Sequence, residues 1–243
     1  MGLDRRVDFL ASASAPLVSS MHSHHATAIY IPVDGIVTVI DFERNSLQGT
    51  VVIVPPDRPH SVSCSEGLVS LLYDPEVAPE IASYARALDC ASLISGRLAR
   101  RFRGLVHSSR SSFSEAGILD GIGSEARSWF ADLAKPRLPD TRVSRVLEAL
   151  SDPGADPVEV GRMGISAPHL RALWARDVGL PIRTYALWRR FISAAGIFLV
   201  GADATTAAHE AGFADLAHFS RTCRRMLGHS PAELARNLAT RYF

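Results

Sequence analysis

The sequence predicts a multidomain chain of mixed α and β class: a β-rich N-terminal half that forms a small barrel or sandwich followed by helices, then an all-helical C-terminal half. Three observations carry this. His22 to Ile40 and Gly49 to Tyr73 are rich in β-branched residues punctuated by Gly and Pro. Lys135-Pro136-Arg137-Leu138-Pro139-Asp140 sets two prolines and charge between periodic segments, as a linker does. Beyond it, apolar residues recur at helical spacing. A length of 243 residues also exceeds what one domain commonly holds. The expected division is residues 1–138 and 139–243.

The elements follow in order. The N-terminal MGLDRRVDFLASASAPLV has only a weak, acid-interrupted apolar stretch, and no run in the chain approaches the roughly 18 apolar residues of a membrane span. The expected location is cytoplasmic. In the strands, Ile29, Ile31, Val37, Val39, Val51, Ile53, Val69 and Leu71 are the expected core. From Pro79 to about Phe102, Ile81, Tyr84, Ala85, Leu88, Leu93, Ile94 and Leu98 recur at helical spacing, and a second helix is expected over Ser114 to Ala134. After the linker, helix starts are marked at Ser166, Asp203 and Ser230, and stops at Gly179, Gly201, Gly212 and Gly228. Pro181 to Val200 reads as one long helix.

Cys64, Cys90 and Cys223 are odd in number and scattered, which fits small buried hydrophobes rather than a disulfide framework or a zinc finger. The formal net charge of +1 divides unevenly: residues 1–138 carry 13 basic and 15 acidic side chains, residues 139–243 carry 13 and 10. Every Lys or Arg in the second part is Arg, the side chain suited to phosphate and guanine.

The C-terminal half contains a faint repeat. GISAPHLRALWARDVGLP (164–181) and AGFADLAHFSRTCRRMLGHSP (211–231) share one plan, a turn and a helix that ends in Gly with Pro soon after. In the first, Leu170, Leu173, Trp174 and Val178 share one face and leave His169, Arg171, Ala172, Ala175 and Arg176 on the other. In the second, Phe219, Cys223, Met226 and Leu227 are the buried set, with Leu216, Ala217, Ser220, Arg221, Arg224 and Arg225 outward. Amphipathic helices with a solvated Arg face would look the same. The long helix between the repeats, at about 1.5 Å per residue, spans roughly 30 Å, close to one turn of B-DNA.

These residues resemble the AraC/XylS family of bacterial transcription regulators. The matching pieces are Gly164-Ile165-Ser166, His169-Leu170-Arg171-Ala172-Leu173-Trp174, Gly179-Leu180-Pro181, Tyr185 and Arg189-Arg190. The most specific is the run Ala208 to Arg221, closed by Gly228-His229-Ser230-Pro231. The resemblance implies two helix-turn-helix units joined by the long helix. It places Ala167, Pro168, His169, Arg171, Ala172, Leu216, Ala217, His218, Arg221 and Arg224 against double-stranded DNA, and it implies a homodimer that can engage RNA polymerase. The sequence departs from the pattern at Asp156 to Met163, which is a few residues short for the first positioning helix, and at Leu216 and Ala217, apolar where polar base readers are common.

In the N-terminal half, His22-Ser23-His24 with Gly35, and Gly49 with Pro55, Asp57 and His60, resemble the two motifs of cupin barrels. That resemblance implies a barrel whose effector or divalent-metal ligands are His22, His24 and His60, with His25 as a substitute ligand. The motif's Glu falls on Ala28, its Gly on Asp57 and its Asn on Cys64. Three imidazoles can hold a metal with open positions, a metal-free pocket for a small molecule is the other reading, and a dimerisation scaffold is a third.

The expected function is therefore a sequence-specific DNA-binding regulator that responds to a small molecule or metal in the barrel. A metal-dependent cupin enzyme is the contrasting expectation, weakened by Ala28. A relative that binds partners instead of DNA is the third, motivated by the shortened first unit.

Overall fold

A computed structural model describes residues 9–14, 16–109, 118–133, 135–152, 155 and 166–240. Two antiparallel sheets form the N-terminal half. The strands are β1 (Phe9–Ser14), β2 (Leu17–Val18), β3 (Thr27–Pro32), β4 (Val37–Asp41), β5 (Ser46–Gly49), β6 (Val52–Val54), β7 (His60–Cys64), β8 (Leu68–Tyr73) and β9 (Ser92–Leu93), and β10 (Leu238–Thr240) comes from the far end of the chain. The six-stranded sheet runs β10-β1-β8-β3-β6-β9 and the four-stranded sheet β2-β7-β4-β5. Of the expected barrel or sandwich, the described residues form two sheets that do not close into one barrel. Three strands at the sheet edges, β2, β5 and β9, are only two to four residues long, so they end before a ladder can pass from one sheet to the other.

Alternation along the strands builds two cores from one sheet. Leu10, Ala28, Tyr30, Val52, Val54, Leu68 and Leu72 point inward, meeting Val37, Val39, Val62 and Cys64 of the second sheet. Their neighbours Ile29, Ile31, Val51, Ile53, Val69 and Leu71 point outward, against helices α1 (Pro79–Ala85), α2 (Gly96–Ser109) and α3 (Ile118–Ala131). That double burial is why β3 reads Thr-Ala-Ile-Tyr-Ile-Pro without an exposed position. All eight expected strand-core residues are buried.

The single helix expected from Pro79 to Phe102 is two helices with β9 between them. The apolar spacing continues across the break because Ile94 pairs its N–H with Val51 O, and Gly96 turns the chain at φ +65°. The Ser114 side of the second helical stretch lies outside the described residues.

The linker residues 135–140 are irregular. Helices α4 (Thr141–Ala149), α5 (Ala167–Asp177), α6 (Ile182–Leu199), α7 (Ala204–Glu210), α8 (Leu216–Leu227) and α9 (Pro231–Asn237) follow. Their ends use the residues the sequence marks. Asp203 accepts from the Thr205 and Thr206 N–H groups, and Ser230 and Glu233 form a reciprocal capping box. Gly179, Gly201, Gly212 and Gly228 all stand at positive φ. The expected short segment Asp156 to Met163 lies outside the described residues.

Helix α6 is buried on nearly every side. It packs on α7 and α8 and also reaches β1, so one continuous core includes inward strand residues together with Trp174, Trp188, Phe191 and Phe219. Strand β10 closes the link by pairing with β1. Among the described residues no helix is long and apolar enough to cross a membrane.

Candidate DNA-binding faces and effector cavity

Helix α5 starts after Ser166, with a proline in its first turn, and ends where Gly179 takes φ +84°. Leu170, Trp174 and Val178 are buried, and the Trp174 indole N–H donates to Leu180 O at 2.6 Å, fastening the turn into α6. Ala167, Pro168, His169, Arg171 and Ala172 are all exposed. Helix α8 is capped by Asp215, which accepts from the His218 N–H. Its buried side is Phe219, Thr222, Cys223 and Met226, while Leu216, Ala217, Arg221 and Arg224 are exposed and His218 is half-buried against Phe213. Each helix therefore presents a polar, Arg-bearing face on a rigid apolar footing, the arrangement that groove readout requires.

The histidines come together in the first half. His22, His24 and His60 are buried, and one ring nitrogen from each lies within 4.8 Å of the others. Backbone pairing sets this: His22 and His60 exchange N–H···O bonds of 2.9 Å across an isolated bridge. The His22 Nδ1–H donates to Ser20 O and the His60 Nδ1–H to Arg58 O, each at 2.8 Å, so Nε2 is the acceptor nitrogen of both rings. The Tyr30 hydroxyl lies 2.8 Å from His60 Nε2. Burial and mutual repulsion favour the neutral rings: His22 is lowered to about 3, and His24 and His60 are lowered as well.

His25 points elsewhere. It bridges Asp57 at 2.8 Å and Glu76 at 3.0 Å, and although burial opposes its charge, these two carboxylates raise its pKa to about 10. That pairing takes it out of the cluster as a substitute ligand. Ala28, in the place of the expected carboxylate, is fully buried, and Asp57 adopts φ +60°.

Three groups escaped the sequence reading. Tyr30 stands two residues beyond Ala28 on the same face of β3, so strand periodicity could have placed it beside the histidines. Asp74, 1% exposed, directly follows β8 and accepts from Arg189 Nη1 at 2.9 Å, Trp188 Nε1 at 3.0 Å and Tyr185 OH at 3.5 Å. Burial works against this carboxylate, but the Arg189 charge holds its pKa below the usual value. No local signal connects positions 74 and 189. His229, from the Gly-His-Ser-Pro motif, is buried with no hydrogen-bond partner for Nε2.

His22 and His229 share a cavity of about 80 Å³ between the sheets and the C-terminal helices. Leu10, Val62 and Leu72 wall it from the strands, and Ala195, Phe219 and Leu227 from α6 and α8. This cavity is bounded by both halves, where α6 and α8 join the core formed by the inward faces of the two sheets.

Residues 160–237 match a family model described as a helix-turn-helix domain. No protein of curated function matches the chain by sequence. The fold is similar to that of ToxT from Vibrio cholerae. An apo ToxT variant superposes with a TM-score of 0.63 at 13% identity, covering 96% of this chain and 99% of that one. Wild-type ToxT bound to an unsaturated fatty acid gives 0.59 at 15% identity, covering 98% of each chain.

Proposed function

We propose that residues 160–237, which match a helix-turn-helix domain, are a DNA-binding domain of the AraC type, and that the chain is a ligand-responsive DNA-binding transcription regulator. Two helix-turn-helix units carry the DNA contact. Helix α5 presents Ala167, Pro168, His169, Arg171 and Ala172 to one major groove, and α8 presents Leu216, Ala217, His218, Arg221 and Arg224 to the next. Helix α6, 18 residues or about 27 Å long, separates them. Arg171 and Arg221 supply base or phosphate hydrogen bonds, and Leu216 and Ala217 suit thymine methyl groups.

The single observation that carries the responsive part is the cavity shared by the sheets and α8. A molecule seated there touches Phe219 and Leu227 on the buried side of the same helix whose outer side meets DNA. Its occupancy therefore changes the relative free energy of α8 positions, which is what coupling between the two sites requires. The walls are mainly apolar, with hydroxyl-bearing residues such as Ser12, Ser19, Tyr30 and Ser70 on the strand side and the rings of His22 and His229 as polar groups, so the effector class is a small, mainly apolar molecule that carries a polar group. ToxT, similar in fold, binds an unsaturated fatty acid.

The test is fluorescence anisotropy of the full chain on double-stranded DNA from upstream of its own gene, with and without a series of short-chain carboxylic acids. Specific binding that shifts at least tenfold with one chain length supports the reading. Ala195→Met, which fills the cavity, removes the shift and keeps the DNA affinity. DNA affinity indifferent to every member of the series, with binding to the chain demonstrated by thermal shift, contradicts the coupling.

A further inference from the structure

The histidine cluster is joined to the DNA-binding helix by a route separate from the apolar cavity walls. The segment that carries His22 and His24 is strapped to the C-terminal end of α8. Ser20 Oγ donates to Gly228 O at 2.8 Å, the Ser20 N–H reaches the same carbonyl at 3.4 Å, and the Ser23 N–H donates to Arg225 O at 3.0 Å. Ser20 O is in turn the acceptor that fixes the His22 ring. Gly228 sits so close that a Cβ there would lie 2.5 Å from Ser20 O and 3.0 Å from His22 Nδ1. A displacement of His22 therefore cannot occur without moving the strap or the end of α8.

We propose that His22, His24 and His60 form a binding site for a divalent cation of the zinc, cobalt and nickel class, and that closure of the three rings around it is transmitted through Ser20–Ser23 to the end of α8. The donor set suits that class: buried imidazoles without a carboxylate. Two of the rings donate Nδ1–H to backbone carbonyls, the partner arrangement that orients a ligating histidine. His24 Nε2 is buried without a hydrogen-bond partner. It becomes a ligand when its proton moves to Nδ1, which gives up only the long 3.3 Å bond from the Ala26 N–H. Tyr30 releases His60 Nε2 to the cation, and its hydroxyl is then placed to hydrogen-bond a water in the open position.

The transmission follows from size. Tetrahedral coordination with metal–nitrogen bonds of about 2.05 Å sets the ligand nitrogens about 3.3 Å apart. The cluster nitrogens here lie within 4.8 Å. Binding thus draws the rings together by as much as about 1.5 Å, and of the three only His22 is hydrogen-bonded into the strap.

The experiment uses the full chain stripped with a chelator and titrated with Co²⁺, read by visible absorption, and with Zn²⁺ in competition. One equivalent binds in the micromolar range or tighter, and His24→Gln weakens it at least 100-fold while His209→Gln, an exposed histidine on α7, leaves it unchanged. His22→Gln provides the same comparison where His24→Gln fails to fold. Hydrogen exchange then reads the coupling. Zn²⁺ changes protection at the Ser20, Ser23 and Gly228 amides in the wild type and in His209→Gln, and leaves it unchanged in the cluster variant. No saturable cation binding, or binding that survives substitution of the cluster, overturns the site. Binding without a change at those amides overturns the transmission. Neither readout uses DNA, so failure here is distinct from failure of the regulator reading.

Discussion

Replacing Asp74 by alanine tests how the two halves are held together. Asp74 and Arg189 are 1% and 5% exposed and 2.9 Å apart, so neither charge has water to fall back on. Removing one member of such a pair costs about 3–5 kcal/mol, because the other is left as a buried charge without its counter-ion. Trp188 N–H loses its acceptor in the same step, but that loss is part of one network and is not summed separately. Against a typical total of about 5–15 kcal/mol this is a large fraction. The assay is urea unfolding followed by tryptophan fluorescence and circular dichroism. Asp74→Ala lowers the midpoint strongly and separates the transition of the helical half, where Trp174 and Trp188 report, from that of the sheets. The double variant Asp74→Leu with Arg189→Met recovers most of the loss, since an apolar pair of similar volume replaces a buried ion pair at little net cost. A loss below about 1 kcal/mol for Asp74→Ala, or a double variant no better than the sum of its singles, would refute the argument that this contact is desolvated and coupled.

The two faces of α5 and α8 separate cleanly. Arg171→Ala and Arg221→Ala weaken DNA binding by about 1–3 kcal/mol each where they read a base, with thermal unfolding unchanged. Trp174→Ala and Phe219→Ala cost about 3–5 kcal/mol of stability by calorimetry; similar loss of folding in all four would reverse the assignment of faces. Gly228→Ala is destabilising by about 1–2 kcal/mol from φ +74° alone, with a further penalty from its contact with Ser20 O, and thermal unfolding compared with Gly179→Ala, which has open space around it, isolates that contact. In the native chain one thiol, Cys90, reacts rapidly with a disulfide reagent. Cys64 and Cys223 react only after unfolding, Cys223 because burial also pushes its thiol up to about 12. Three fast thiols would contradict the packing of α8.

The legible part of this fold was local. Asp203, Ser230 and the four helix-ending glycines carry their signal within a few residues, through cap hydrogen bonds and positive φ, and the structure uses each as the sequence implies. The faces of α5 and α8 were legible for the same reason, since a 3.6-residue period sets Arg176 opposite Trp174 and Arg221 opposite Phe219 without tertiary information. Periodicity misled where it ran across a break, at Pro79 to Phe102, because Ile94, just past the edge strand, is buried against the same core as the helices on either side. Strands β1 and β10 were missed. One lies in an Ala- and Ser-rich stretch of weak strand propensity, and the other finds its partner more than two hundred residues away. The histidine cluster could be named from motif spacing, but its strap to Gly228 and the Asp74–Arg189 pair join distant positions, and no sequence period reports such contacts.

The central claim is that this chain recognises DNA through the outer faces of α5 and α8. The direct measurement is the affinity of the full chain for a double-stranded fragment from upstream of its own gene, with excess unrelated competitor DNA, at two salt concentrations. Specific binding is expected to fall steeply as salt rises and to be weakened at least tenfold by both Arg171→Ala and Arg221→Ala. Binding no tighter than to unrelated DNA, or specific binding indifferent to both substitutions in folded protein, would contradict that claim.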